Sequence, residues 1–247
     1  MILRQFLHRE PVAVSYLVGC AGKGLGAVID PLDPIEVYLE AAAAAGTPIQ
    51  LVIDTHLHAD HRSSGRELAR ATGADYALHA SARTGYDFRA LNDGERIELG
   101  NVALDVLHTP GHTPEHLCLL VTDRTRAAEA WFVMTGHTLM IGDVGRTELV
   151  DDARAGALML FETLERLKAL PEHLEVFPGA FAGSVCGRGL SGKPTSTIGF
   201  EKRYNAAFAL SDPERFVEFM LENTPPAPQQ AVELRAWNAG LTPGKAA

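Results

Sequence analysis

Short apolar stretches alternate with stretches of helical periodicity along most of the chain. Apolar segments of strand length, bounded by glycine, proline or aspartate, predict strands over residues 12–18, 27–29, 49–53, 74–78, 96–99, 102–107, 117–122, 130–134 and 174–177. The glycine-rich segment 19–26 joins the first two of these and predicts a hairpin. It lacks the Lys-Ser/Thr ending of a phosphate-binding loop.

Helical segments fall between and after the strands. The alanine-rich segment from Pro34 to Gly46 predicts a helix, because proline is favoured in a first helical turn and glycine after the last. Further helices are predicted over residues 66–71, 152–170, 200–210 and 213–222, and a last short helix ends near Gly240. The Asp151-Asp152 pair suits the positive N-terminal end of the helix over 152–170.

Composition limits the function classes. Asp plus Glu outnumber Lys plus Arg by 31 to 22, the net charge is -9, and no basic run is present. Nucleic acid and anionic membranes are therefore poor candidates as partners. No segment approaches the roughly 20 apolar residues of a membrane span, and residues 1–10 lack the features of a signal peptide. We expect one domain, residues 1–247, in a soluble cytoplasmic protein.

Cysteine usage argues against a disulfide framework or a thiolate zinc site. The three cysteines are odd in number, widely spaced and free of any Cys-x-x-Cys pair; they are Cys20, Cys118 and Cys186.

The segment 55–61 has the sequence Thr-His-Leu-His-Ala-Asp-His and directly follows a predicted strand. Three imidazoles and a carboxylate in seven positions have no packing advantage, but they are donors that zinc and iron prefer. Alternation along an extended chain places His56 and His58 on one side, and a turn lets Asp60 and His61 approach from another direction. This segment predicts a metal site.

Two further clusters follow later strands. Residues 108–116 are His-Thr-Pro-Gly-His-Thr-Pro-Glu-His, and residues 135–146 begin Thr-Gly-His and end Gly-Asp-Val-Gly-Arg. Ligands gathered from the ends of separate strands give a rigid site with open positions for a substrate. We expect His112 to be a ligand, because it lies in the turn after Pro110-Gly111, and His108 and His116 to be structural.

These three motifs, in this order, resemble those of the metallo-β-lactamase superfamily. Segments 177–179, 182–184, 186–187, 196–199 and 238–240 resemble its persulfide dioxygenase branch, in which the catalytic domain is often fused to a rhodanese domain. The resemblance implies an α/β fold: an αββα sandwich of two mixed sheets flanked by helices, with the metal at one edge. The C-terminal helices from about residue 200 are expected to pack on this sandwich.

The resemblance also implies ligand sets. In superfamily hydrolases, the residues matching His56, His58 and His112 bind one metal. Residues matching Asp60 and His61, with a later His, bind a second, and an Asp at position 137 bridges the two. Persulfide dioxygenases keep one iron, on the residues matching His56, His112 and that Asp.

The sequence departs from the family pattern at two positions, both of which affect the second metal. His137 stands where the family has Asp, and Ala180 stands where it has His. A carboxylate can share two oxygens between two cations, whereas a neutral imidazole has one lone pair and alanine has no ligand atom. We therefore predict one metal, bound by His56, His112 and His137.

Four other residues complete the predicted site. We expect Asp60 and His61 to orient water or to hydrogen-bond a ligand imidazole, with Asp60 as general base if the chemistry is hydrolytic. Arg146 is a candidate for holding the anionic end of a substrate, and an ordinary ion pair is the alternative. The Cys186 thiol is a candidate for sulfur exchange with a persulfide, and simple burial is the alternative.

The leading hypothesis is an enzyme with one Fe(II) per chain that oxidises a low-molecular-weight persulfide, such as glutathione persulfide, with O2 to sulfite and a thiol. One alternative is a mononuclear zinc hydrolase of thioesters or lactones, similar to glyoxalase II, with His58 completing the site. Another is a degenerate, non-catalytic sulfur-binding homologue. A separate rhodanese protein is an expected partner, since residues 1–247 contain no rhodanese segment, and a homodimer is compatible with this interpretation.

Overall fold

The strands form two six-stranded sheets in a computed structural model that describes residues 1–148, 152–222 and 230–241. The first sheet has the order β1 (Ile2–Arg9), β2 (Val12–Cys20), β3 (Leu25–Ile29), β4 (Ile49–Ile53), β5 (Asp75–His79) and β6 (Arg89–Leu91). The second has the order β12 (Ser196–Thr197), β11 (Glu175–Pro178), β10 (Phe132–Gly136), β9 (Leu117–Asp123), β8 (Val102–His108) and β7 (Arg96–Leu99).

Both sheets are mixed. Strands β3 to β6 run parallel, whereas β1, β2 and β3 pair antiparallel in sequence. In the second sheet, β10 and β11 are parallel and the other pairs are antiparallel. The helices are α1 (Glu36–Ala45), α2 (Gly65–Thr72), α3 (Ala153–Lys168), α4 (Ile198–Tyr204), α5 (Pro213–Glu222) and α6 (Ala231–Asn238), and a short 3-10 turn spans Ala21–Lys23.

Three apolar layers hold these elements together. Residues such as Tyr16, Leu104 and Phe132 fill the space between the two sheets. Tyr38 of α1 and Leu68 of α2 pack on the outer face of the first sheet. Side chains of α3, α4 and α5 pack on the outer face of the second sheet. The predicted αββα sandwich is confirmed, because each sheet buries one face against the other sheet and one against helices.

The strand ends bring the chemical motifs to one edge. Strands β3 and β4 are parallel, so Asp30 and the histidine-rich segment after Ile53 emerge together. His112 lies between β8 and β9, and His137 directly follows β10.

Some elements differ from the sequence-based expectations. Strands β1, β6 and β12 were not predicted, and α4 ends at Tyr204, well short of residue 210. Asp152 caps α3 by accepting hydrogen bonds from the backbone of Arg154 and Ala155, while Asp151 lies outside the described residues. Among the helices that the structure describes, none is long and apolar enough to cross a membrane.

Candidate metal centre

The histidine-rich segment is a loop that leaves the end of β4 and leads into α2. Strand β4 ends at Ile53 and α2 begins at Gly65, so His56 and His58 do not lie on a strand. The prediction placed His56 and His58 together by the alternation of a strand, and this was wrong because the strand ends before them. Their rings nevertheless approach to 4.1 Å between centroids.

Asp30 fixes the start of this loop. Its Oδ1 accepts a hydrogen bond from the Thr55 backbone N–H at 2.6 Å and its Oδ2 accepts one from the Thr55 hydroxyl at 2.9 Å. The Nε2 of His58 lies 3.1 Å from the same Oδ1. Asp30 is buried and has a positive φ of 51°, a backbone conformation that Asp tolerates better than most residues. One carboxylate thus organises the backbone and two side chains of the ligand loop.

Hydrogen bonds also fix how two histidines present their nitrogens. The Nδ1 of His112 lies 2.8 Å from the Arg146 carbonyl oxygen, which can only accept, so this nitrogen carries the proton. The Nδ1 of His56 lies 2.9 Å from the Thr55 hydroxyl, whose own proton goes to Asp30. In both residues the Nε2 lone pair therefore remains, and each Nε2 is buried without a hydrogen-bond partner.

His137 completes a three-imidazole cluster. Its backbone N–H donates to His116 Nε2 at 3.1 Å, while both nitrogens of its own ring are buried without a hydrogen-bond partner. One ring nitrogen of each of these histidines, His56, His112 and His137, lies within 4.8 Å of one ring nitrogen of each of the other two. Buried imidazoles that converge without partners are the donor set of a metal site, and His116 contacts them through the backbone of His137.

Burial keeps these imidazoles neutral. It lowers the pKa of His56 well below its ordinary value, lowers that of His112 to about 3, and lowers that of His137. Neighbouring histidines act in the same direction on all three pKa values. A neutral imidazole is the form that ligates a metal, so the cluster fits a divalent cation at physiological pH.

We expect metal affinity at this cluster to fall by less than about tenfold between pH 7.5 and pH 5.5. Three histidines with an ordinary pKa of about 6.5 would lose roughly 1,000-fold over that range through proton competition. A lowered pKa moves this competition to more acid pH. Zn(II) titrations against a chromophoric chelator at both pH values measure the difference, with circular dichroism to confirm that the metal-free protein stays folded. A drop near 1,000-fold would contradict the neutral cluster.

His58 belongs to a different group. Its Nδ1 lies with Asp60 and His61, at 3.8 Å from Asp60 Oδ1, while its Nε2 pairs with Asp30. Burial opposes protonation of His58, but Asp30 outweighs it and raises the pKa to about 9. His61 Nδ1 lies 3.0 Å from Asp60 Oδ1. The predicted metal residues thus separate into the three-imidazole cluster and His58, which is held by carboxylates.

Asp60 and Cys186 face His137 from the other side. Asp60 Oδ2 is 4.0 Å from His137 Nε2, and ligand atoms of Asp60, His137 and Cys186 form a third group within 4.8 Å. Burial opposes ionisation of Asp60, but His61 and His137 hold its pKa well below the ordinary range. Burial, reinforced by Asp60, raises the pKa of the Cys186 thiol well above its usual value. Asp60 is thus a carboxylate and Cys186 a neutral thiol beside the cluster.

Arg146 contacts two segments of the site, those of His112 and Cys186. Its guanidinium pairs with Glu148 and donates to the Val185 carbonyl at 2.9 Å, next to Cys186, while its backbone carbonyl orients His112. The side chain is 5% exposed. Arg146 thus ties the Cys186 segment to the His112 segment.

Sequence reasoning missed several residues that organise the site. They are Asp30, Thr55, Glu115 and Asn238, all of which hydrogen-bond to the ligand loop or its histidines. An aspartate at the end of a strand and before a proline, as at Asp30-Pro31, is a usable signal. Asn238 belongs to the segment 238–240, which resembles the persulfide dioxygenase branch, but its contact with the loop could not be predicted because it lies far from the loop in sequence.

Comparison with known proteins places this geometry in a family. Residues 9–179 match the model of the Metallo-beta-lactamase superfamily, and this range contains the three-imidazole cluster. The chain belongs to the metallo-beta-lactamase superfamily. Helices α4 to α6 and Cys186 lie beyond the matched range.

Two kinds of relative are found within the superfamily. A hydroxyacylglutathione hydrolase of Rhodospirillum rubrum is 34% identical over 167 residues, which is 66% of this chain and 60% of that protein's length. The mitochondrial persulfide dioxygenase ETHE1 of Bos taurus is 27% identical over 233 residues, which is 93% of this chain and 84% of ETHE1. The hydrolase match thus spans a smaller part of both proteins.

Solved structures give the same picture. A metallo-beta-lactamase of Staphylococcus aureus subsp. aureus COL superposes with a TM-score of 0.92 and 31% identity, over 98% of this chain and 73% of that one. ETHE1 from Myxococcus xanthus superposes with a TM-score of 0.82 and 28% identity, over 97% of this chain and all (100%) of ETHE1. The resemblance to the persulfide dioxygenase branch is confirmed, within a family of metal-dependent enzymes that includes hydrolases.

Proposed function

We propose that this chain is a one-metal enzyme that oxidises a low-molecular-weight persulfide with O2, using Fe(II) held by His56, His112 and His137. The observation that carries the proposal is the separation of the histidines. The unpartnered nitrogens of these three lie within 4.8 Å of one another, whereas the unpartnered Nδ1 of His58, which a superfamily hydrolase would use, groups with Asp60 and His61. His137 then takes the place of the carboxylate in a two-His-one-carboxylate iron site.

His56, His112 and His137 would hold the iron with three protein ligands, and the iron would supply the redox chemistry that joins O2 to sulfur. Three neutral imidazoles leave the site with a formal charge of about +2, one unit more than with a carboxylate, which favours an anionic persulfide. The balanced reaction is R-S-SH + O2 + H2O → R-SH + SO3²⁻ + 2 H⁺. The S–S bond breaks, the outer sulfur is oxidised, O2 is reduced, and the inner sulfur leaves as the thiol.

The residues around the cluster have supporting roles in this proposal. The Asp60 carboxylate, held beside His61 and 4.0 Å from His137, accepts a proton from the persulfide or from water. The buried Cys186 thiol contacts the sulfur end of the substrate, because it lies with Asp60 and His137. The proton acceptor in this assignment is Asp60 Oδ2, which faces His137, whereas Oδ1 lies 3.0 Å from His61 Nδ1.

The decisive experiment is to purify the protein without added metal, measure its iron and zinc content, and follow oxygen uptake with glutathione persulfide. We expect about one equivalent of iron and one O2 consumed for each sulfite formed.

His137→Ala should lose both iron and oxygen uptake, whereas the remote His79→Ala variant should keep both. Zinc with thioester cleavage and no oxygen uptake would contradict the proposal. If the purified protein holds no metal and shows no turnover, it is a degenerate homologue. A gain of activity in His137→Asp would establish this.

A zinc hydrolase of thioesters or lactones is the second candidate. It is favoured by the 34% identity to hydroxyacylglutathione hydrolase and by the buried Asp60 carboxylate, which could serve as its general base. It requires the Nδ1 of His58 to move from Asp60 toward His56 and His112.

A further inference from the structure

The C-terminal helix α6 lies against the ligand loop and holds it with side chains. The segment 56–63 belongs to no helix or strand, so the ladder bonds of regular structure do not support it. In the part of the chain that the structure describes, two side chains bind its backbone: Glu115 accepts from the Leu57 N–H at 2.9 Å, and Asn238 of α6 binds His58, His61 and Ser63.

Asn238 makes three hydrogen bonds to this loop. Its side-chain N–H groups donate to the carbonyl oxygens of His58, at 2.7 Å, and His61, at 2.8 Å. Its side-chain oxygen accepts from the Ser63 N–H at 2.9 Å. Both donors and the acceptor of the amide are used, and the residue is 4% exposed. A fully satisfied buried amide specifies one arrangement of the loop.

The two carbonyls that Asn238 binds lie on either side of Asp60. Asp60 is the carboxylate that faces His137, and it is flanked by His61, whose Nδ1 lies 3.0 Å from Asp60 Oδ1. The position of Asp60 relative to the three-imidazole cluster is therefore set through the backbone at residues 58 and 61.

Helix α6 is itself tied to the same region by other contacts. The Tyr86 hydroxyl donates to the Asn238 carbonyl at 2.6 Å, and Arg235 lies 3.5 Å from Glu115, which holds Leu57. The Gly85 N–H donates to the Ala239 carbonyl at 2.8 Å. These contacts fix the helix, and the Asn238 amide joins it to the backbone on both sides of Asp60.

We propose that Asn238 is a positioning residue of the metal centre, which sets the geometry of Asp60 and its flanking histidines from a helix outside the matched superfamily range. The proposal rests on the metal-binding part of the proposed function and not on the reaction. It assigns α6 a role in how the centre binds metal, beyond closing the fold.

The test compares Asn238→Ala, Asn238→Asp and Tyr86→Phe with the parent protein. Metal-free protein is titrated with Co(II), and affinity is measured by chelator competition and geometry by the visible spectrum. Loss of an outer group around a metal ligand typically weakens binding 10–100-fold. We expect Asn238→Ala to weaken Co(II) binding about tenfold and to alter the spectrum. Asn238→Asp should be at least as severe, because a carboxylate cannot donate to the two carbonyls.

Tyr86→Phe is the matched control, because it removes a hydrogen bond to α6 without touching the loop. We expect it to lower the Tm but to change Co(II) affinity by less than about twofold and to leave the spectrum unchanged. Parent-like affinity and spectrum in both Asn238 variants would overturn the proposal, as would affinity losses in all three variants that simply follow their Tm. Failure of the parent to bind Co(II) would instead refute the metal centre of the proposed function.

Discussion

His112→Asn should lower metal affinity by more than about 100-fold, whereas His58→Gln should lower it by less than about tenfold. The first change keeps an N–H near the Nδ1 position, which can still donate to the Arg146 carbonyl, and removes the unpartnered Nε2. The second keeps an N–H near the Nε2 position, which can still donate to Asp30, and removes Nδ1. Each substitution thus deletes one nitrogen and preserves the hydrogen bond of the other.

The contrast between the two variants separates the two ligand sets. Loss of a direct ligand should exceed the 10–100-fold cost typical of an outer group. If iron or zinc is bound by His56, His112 and His137, only His112→Asn removes a ligand. If the metal is bound by His56, His58 and His112, both variants remove a ligand. Chelator competition with Zn(II) and Fe(II) measures both affinities, and equal losses above 100-fold would contradict the three-imidazole site that includes His137.

The pattern of the sequence was sufficient for the sandwich and for the ligand-bearing edge. Buried central strands such as β4 and β8 carry continuous or alternating apolar residues, and each histidine cluster follows the end of a strand. Strand β1 escaped prediction because its residues alternate in no simple way and are only partly buried. Strands β6 and β12 have three and two residues, too few for any period to be recognised.

The division of the histidines between two groups could not be predicted from sequence. Spacing within 55–61 makes His56 and His58 equivalent, and the structure distinguishes them by the groups around each: His56 lies with His112 and His137, whereas His58 lies with Asp60 and His61. The same holds for Asn238, whose contact with the loop spans 180 residues of sequence at His58. Such contacts depend on how separate elements dock, which local patterns do not encode.

Asp30→Asn should weaken metal binding about 10–100-fold even though Asp30 touches no metal. The carboxylate accepts from the Thr55 N–H and hydroxyl and from His58, and the Thr55 oxygen in turn receives the His56 Nδ1 proton. This series of hydrogen bonds, from Asp30 through Thr55 to His56 Nδ1, keeps the Nε2 lone pair of His56 free for the metal. Asparagine suits the positive φ of 51° at this position, so the backbone conformation should be retained.

We expect Asp30→Asn to weaken metal binding because the substitution reverses the direction of one hydrogen bond. Asparagine has one accepting oxygen, so its NH2 group must face the Thr55 hydroxyl if the oxygen continues to serve Thr55 N–H and His58. The hydroxyl proton then either lacks a partner or turns to His56 Nδ1, which places the imidazole proton on Nε2, where the metal binds. Co(II) affinity and visible spectrum report the change, with Asp123→Asn as the control for a buried carboxylate that contacts the N-terminus and Thr125 instead. Asp30→Asn with the affinity and spectrum of the parent would show that Asp30 does not control the His56 tautomer.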